Sequence, residues 1–283
     1  MKLRIFTLLI TTASAALAQS TINMNDHFAY GANVGWCDFR PSVTGGAVMG
    51  EYVCSGSLYA ANLGWISLGS GAPANQVQYK NKTAADYGVN LLPGGLLRGY
   101  AYSANVGWIA FESTGNPRVD LTTGNLLGYA YGANIGWLDL STLRTDTLQP
   151  GADTDGDGIA DAWEITHAGT LTTLTATGDA DGDGISDRAE YFADTHPLLA
   201  QDALRITEFG QSGNGFVATL KWTSRSTRNY RIETIDSFAS GLWVDSGLGT
   251  IPADGDSETG RAFNGTPSPQ RFYRVRAMRP LIP

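Results

Sequence analysis

Cysteine, histidine and charge are all scarce in this chain: 283 residues hold two cysteines and three histidines, and 16% are charged. So few thiols and imidazoles leave no zinc-ligand spacing and no disulfide-dense scaffold. His27, His167 and His196 stand in no Ser/His/Asp arrangement visible in sequence. No run of Lys and Arg builds a basic stripe, so nucleic acid is not an expected partner. No glycine loop of the Walker or Rossmann kind is present to cradle a phosphate. After the first 18 residues no apolar stretch approaches the roughly 20 residues that span a bilayer, so no membrane span is expected.

What is present is a chain 42% hydrophobic with 35 glycines and 11 prolines. That apolar share can fill a core, and so much glycine favours short strands joined by tight turns over coiled coils or helical bundles. The expected fold is mainly β. Lys2 and Arg4 precede an apolar run over residues 5–16, and Ala16-Leu17-Ala18 has the small-x-small form of a cleavage site. Residues 1–18 therefore read as a signal peptide, which places the mature chain, from Gln19, outside the cytoplasm as a secreted or cell-surface protein.

Four segments repeat through the first half. Phe28-Ala-Tyr-Gly-Ala-Asn-Val-Gly-Trp36 returns in closely similar form ending at Trp65, Trp108 and Trp137, at spacings of 29, 43 and 29 residues. Such self-similarity marks units that bury their faces against one another. Within a unit the residues on either side of the Asn-x-Gly alternate as strands do, so each is expected to be a β-hairpin with a five-residue turn and Asn33, Asn62, Asn105 and Asn134 as turn formers. Trp36, Trp65, Trp108 and Trp137 could stack on sugar rings, although aromatic residues in strands are more often core or cross-strand partners. Cys37 and Cys54 fall where other units carry Ile66, Ile109, Leu138, Leu97 and Leu126, so both are expected inside. In an oxidising compartment a Cys37–Cys54 disulfide is plausible, worth about 3 kcal/mol if unstrained, with free buried thiols as the alternative.

The net charge of −8 is concentrated: residues 150–202 hold twelve acids against the single base Arg188. There Asp153, Asp155, Asp157, Asp161 and Glu164 occupy positions 1, 3, 5, 9 and 12 of a twelve-residue loop with Gly158 at position 6, and Asp179, Asp181, Asp183, Asp187 and Glu190 repeat the pattern around Gly184. Five crowded carboxylates repel one another unless a cation joins them, and this spacing suits Ca²⁺, a hard ion that takes oxygen ligands. The main-chain carbonyls of Ile159 and Ile185 are expected at position 7, the Asp at position 9 bound directly or through water, and the Glu with both oxygens. Two Ca²⁺ ions per chain are therefore expected. No helix is expected to enter either loop, which argues for a fixed structural site over a switch.

These loops, followed by Glu190-Tyr191 and Asp194-Thr-His-Pro197, resemble the thrombospondin type 3-like calcium repeats of secreted bacterial proteins. The resemblance covers residues 152–202 and implies a segment that joins or braces extracellular domains. Cellulosomal dockerins are the nearest competitor, but they have entering and leaving helices. From residue 204 onward strand-like runs alternate with turns, and Leu220-Lys-Trp222, Tyr230-Arg-Ile232 and Tyr273-Arg-Val275 resemble the core strands of a fibronectin type III-like β-sandwich.

The expected organisation is a repeat domain over 19–148, a loop–helix calcium connector over 149–202 and a β-sandwich over 203–283. The expected function is non-catalytic: Ca²⁺ stiffens the join between two β domains that meet an extracellular protein or a polysaccharide. Carbohydrate binding by the repeat Tyr and Trp residues is the alternative. A polysaccharide-degrading enzyme is a third reading, needing paired carboxylates outside the calcium loops.

Overall fold

The computed structural model describes residues 19–212, 217–264 and 270–282; the expected signal peptide lies outside them. The molecule is mainly β, with two short helices in its acidic segment.

Each repeat is an antiparallel hairpin: β1 (Ile22–Gly31) with β2 (Gly35–Asp38), β3 (Ser55–Ala60) with β4 (Gly64–Ser70), β5 (Leu96–Ser103) with β6 (Gly107–Phe111), and β7 (Tyr129–Gly132) with β8 (Gly136–Asp139). The turns are tighter than the sequence suggests. Ser103 pairs with Gly107, leaving a three-residue loop closed by Gly107 at φ 80°, a conformation glycine adopts without strain.

The hairpins also pair edge to edge. Cys37 faces Ala60, Ser67 faces Tyr102, Ala110 faces Tyr131, and Asp139 returns to Tyr30. The eight strands thus close into an antiparallel barrel with no free edge, the arrangement that removes the edge-pairing hazard. Its interior holds Ala29, Cys37, Leu58, Ile66, Ala101, Ile109, Ala130 and Leu138, all buried, and the turn residues Val34, Leu63 and Ile135 plug one end. The small alanines opposite larger aliphatic side chains let a narrow barrel fill completely.

The four repeat asparagines do more than form turns. Asn62 Nδ2 donates to the Val34 carbonyl at 3.1 Å, Asn105 to Leu63 at 2.8 Å, Asn134 to Val106 at 3.0 Å, and Asn33 to Ile135 at 3.2 Å. Each unit is stitched to the one before it, and the first to the last, so the ring of bonds closes with the barrel. Asn105→Ala should cost about 1 kcal/mol, the net worth of one such bond. Urea denaturation measures it, and an unchanged midpoint would show that the ring adds nothing to closure.

Cys37 and Cys54 are both buried, as their register requires, but they are not joined. The expected disulfide gives way to two separate free thiols: Cys37 points into the barrel, while Cys54 Sγ lies 4.0 Å from Met49 Sδ. Burial pushes their pKa values up to about 11 and about 12, so both stay protonated and unreactive near neutrality.

The C-terminal part packs two sheets. One is β9 (Ile206–Gln211), β10 (Val217–Thr223) and β12 (Glu258–Asn264); the other centres on β11 (Asn229–Ile235), paired with β13 (Phe272–Met278) and two short strands. Leu220, Trp222, Tyr230, Ile232, Ile251 and Phe263 form the core between them. The chain then returns to the barrel: Leu148 N–H donates to the Leu281 carbonyl at 3.1 Å, and Leu281 and Ile282 pack on the barrel core.

Candidate metal centre

Both acidic loops run from irregular backbone into a helix, α1 (Asp161–Ala168) and α2 (Asp187–Ala193), and among the described residues no helix leads into either. The glycines at position 6 sit at φ 88° (Gly158) and 90° (Gly184), which gives the sharp bend the pattern demands.

That bend gathers the first three acids. One carboxylate oxygen from each of Asp153, Asp155 and Asp157 lies within 4.8 Å of the others, and Asp179, Asp181 and Asp183 repeat the arrangement. Loop amides fix the first acid of each: Asp153 accepts from Gly156 and Gly158 N–H, and Asp179 from Gly182 and Gly184.

The orphaned atoms say what fits between them. Asp157 Oδ2 and both oxygens of Glu164 are buried without a hydrogen-bond partner, and so are Asp181 Oδ2 and Glu190 Oε2. Buried carboxylate oxygens without donors are costly, and a hard cation satisfies several at once. Burial first, and the neighbouring aspartates second, lift Glu164 and Glu190 to pKa values of about 7. Asp157 is raised by the same two causes. The donor set is all oxygen and fits Ca²⁺; bound metal would reverse these shifts.

The ninth-position acids are tied to the loop frame as well. Asp161 accepts from Thr154 N–H at 2.8 Å and Thr154 Oγ1 at 2.6 Å; Asp187 accepts from Thr175 and Ala180 N–H, both at 2.9 Å. Both oxygens of each accept hydrogen bonds from the loop frame, so these residues help hold the bend in shape, as Asp153 and Asp179 do.

Two arginines that spacing could not nominate touch the loops. Arg205 Nη2 pairs with Asp183 Oδ2 at 3.0 Å, and the Arg188 guanidinium lies so close to Gly158 that a Cβ there would stand 3.0 Å from it. More important is a junction just beyond the second loop. Tyr191 follows Glu190 and is buried; its hydroxyl donates to Glu51 Oε2 at 3.2 Å and accepts from Arg279 at 2.6 Å, while Arg279 also reaches Glu51 at 3.3 Å. Arg228 holds the Tyr191 and Phe192 carbonyls at 2.9 Å each. Burial and the Glu51 charge push the Tyr191 phenol up to about 12. Barrel, acidic segment and C-terminal sheet therefore meet on one residue adjacent to a candidate ligand. No sequence signal marks it, because its members lie as far as 228 residues apart.

The repeat tryptophans are not core. Trp36, Trp65, Trp108 and Trp137 point outward, 57%, 60%, 45% and 47% exposed. Each leans on a cross-strand tyrosine at ring distances of 5.0, 5.2, 4.8 and 4.9 Å. The pairing expected of strand aromatics is present, on the outer face of the barrel.

The family model described as the bacterial TSP3 repeat matches residues 153–170 and 179–200. Its two segments coincide with the two loops and their following helices, and they are consistent with calcium binding. No curated protein and no solved structure matches the chain. Among the described residues no helix is long and apolar enough to cross a membrane.

Proposed function

We propose that this is a secreted, non-catalytic protein in which two Ca²⁺ ions stiffen the acidic segment between the barrel and the C-terminal β domain, so that both are presented in a set orientation to an extracellular protein or polysaccharide. The observation that carries the reading is the adjacency of Glu190, with its orphaned oxygen, to Tyr191, which Glu51 and Arg279 clasp. Filling the second loop orders α2 at its first turn, and α2 holds the junction. Extracellular modules bind Ca²⁺ at roughly 10⁻⁴–10⁻³ M, so the brace sets outside the cell and loosens inside it. Small-angle scattering in millimolar calcium and in chelator tests this: the radius of gyration should rise on chelation. An identical scattering profile in both would overturn the bracing role.

A second reading is carbohydrate binding through Trp36, Trp65, Trp108 and Trp137. The outward exposure of all four supports it, since large aromatic faces left in water on a closed barrel do nothing for its core.

A further inference from the structure

The four hairpins are alike in sequence but differ around their tryptophans. Nine residues before Trp65, Trp108 and Trp137 stand Gly56, Gly99 and Gly128. A Cβ at these glycines would lie 2.1 Å from the Gly46 carbonyl oxygen, 2.2 Å from that of Gly88 and 2.3 Å from that of Asn116. In those units a preceding stretch of chain crosses the hairpin at that point and leaves no room for a side chain. In the first unit the same position is His27. There the strand that pairs at this point comes from the far end of the domain, with Leu143 opposite His27, and a groove of about 510 Å³ opens beside it, lined by Asn25, Asp26, His27, Phe28, Trp36 and Thr142.

Its polar groups are held in place with their outer atoms free. His27 Nδ1 meets Asp38 Oδ1 at 2.7 Å, and the Arg40 amide donates to the same oxygen at 2.8 Å. Asp26 pairs with Arg144 Nε at 3.0 Å, and Thr142 Oγ1 donates to the Phe28 carbonyl at 2.5 Å. His27 Nε2 and the Asn25 amide, both on residues that line the groove, keep capacity for a ligand. Above them the Phe28 and Trp36 rings meet edge to face at 6.2 Å, which leaves the indole face open.

The other tryptophans are less well served. Tyr87 leans on Trp108 at 5.1 Å, and the chain at Gly115 passes so close to Trp137 that a Cβ there would lie 3.0 Å from its Cζ3. Trp65 is as open as Trp36, but Gly56, Ser57 and Ser67 stand where the first unit has His27, Phe28 and Asp38.

We infer that the first-unit groove is a saccharide site that takes one or two residues of a neutral polysaccharide chain. A pyranose ring has an apolar C–H face that suits the open indole and a rim of hydroxyls that both donate and accept. The groove offers both, and few mostly apolar walls with placed polar groups are the general form of such sites. Both carboxylates at the groove are already paired, and neither leaves a free cation nearby for an anionic glycan. The inference rests on the carbohydrate reading and narrows it to one unit.

The test is titration calorimetry of the full chain in saturating calcium with cellohexaose, xylohexaose, laminarihexaose and mannohexaose, and with oligogalacturonate as the anionic probe. At least one neutral chain should bind. Trp36→Ala should weaken it roughly tenfold or more, equal to about 1.4 kcal/mol, and His27→Gly several-fold. Trp108→Ala should stay within about twofold of the parent, given its partly covered ring. His27→Gly installs the residue the other units carry, so it keeps the test alive if Trp36→Ala misfolds. Binding that survives both variants but falls with Trp65→Ala or Trp108→Ala would overturn this site and leave the wider aromatic reading standing. Absence of binding to every neutral chain would overturn both. A preference for oligogalacturonate would overturn the neutral assignment.

Discussion

Calcium at a hundredfold excess over its dissociation constant is expected to raise the melting temperature by roughly 10–20 °C over the value in chelator. Each occupied site adds about 2.7 kcal/mol, and a chain of this size gains about 2–4 °C per kcal/mol. The double variant Glu164→Gln, Glu190→Gln should lose most of that gain. In chelator it should be at least as stable as the parent, because it replaces two buried carboxylates, Glu164 with both oxygens orphaned and Glu190 with one, by neutral amides. The pH dependence has a definite sign. In the metal-free fold both glutamates are lifted from 4.5 to about 7, so the native state binds more protons than the unfolded chain between those values. Their contribution to stability in chelator is therefore present at low pH and falls as pH rises from about 4.5 through about 7. Calcium displaces those protons, so its stabilising effect grows over the same window. Equal melting temperatures in calcium and chelator at neutral pH would remove the metal from the account.

Glu51→Ala is expected to be the most damaging single change at the junction. The Glu51 side chain is 8% exposed and Arg279 17%, and removing one member of such a pair leaves the other charge buried and uncompensated. The typical loss is about 3–5 kcal/mol. Since Glu51 belongs to the barrel, Tyr191 to the calcium segment and Arg279 to the C-terminal end, the loss should also uncouple them. Calorimetry in calcium should resolve two unfolding transitions where the parent shows one. A loss under about 1 kcal/mol with one transition retained would mean that the junction is held elsewhere.

The loops were legible because a calcium site of this kind is local. Its ligands lie within twelve residues, and Gly158 and Gly184 can be placed by counting. The hairpins were legible for the same reason: alternation on either side of an Asn-x-Gly needs no distant partner. Even the interior placement of Cys37 and Cys54 follows from comparing one unit with the next, and both are buried.

What failed to show was whatever depends on two distant segments meeting. Period-two alternation puts Trp36 and Cys37 on opposite faces but does not say which face is inside. The sequence therefore left the tryptophans as core or cross-strand partners. In the closed barrel the alanines and branched aliphatics lie inside and the tryptophans outside. Shared register alone could not tell whether Cys37 and Cys54 touch: one lines the barrel interior, and the other packs beside Met49. Spacing placed Asp161 and Asp187 at the ninth position, bound directly or through water, but could not show that Thr154, Thr175 and Ala180 also hold their oxygens.

By itself the sequence determined the mainly β class, the four hairpin units, the two oxygen-ligand loops and the lack of helices leading into them. Each is set by residues within a dozen positions of one another, where backbone preference and ligand spacing act directly. Only the tertiary structure decided that the hairpins close on themselves through Asn33, Asn62, Asn105 and Asn134, that the tryptophans face water, and that Tyr191 sits between Glu51 and Arg279. Those outcomes depend on which distant surfaces fit together and on how much volume a closed barrel can hold, and no local pattern carries that information.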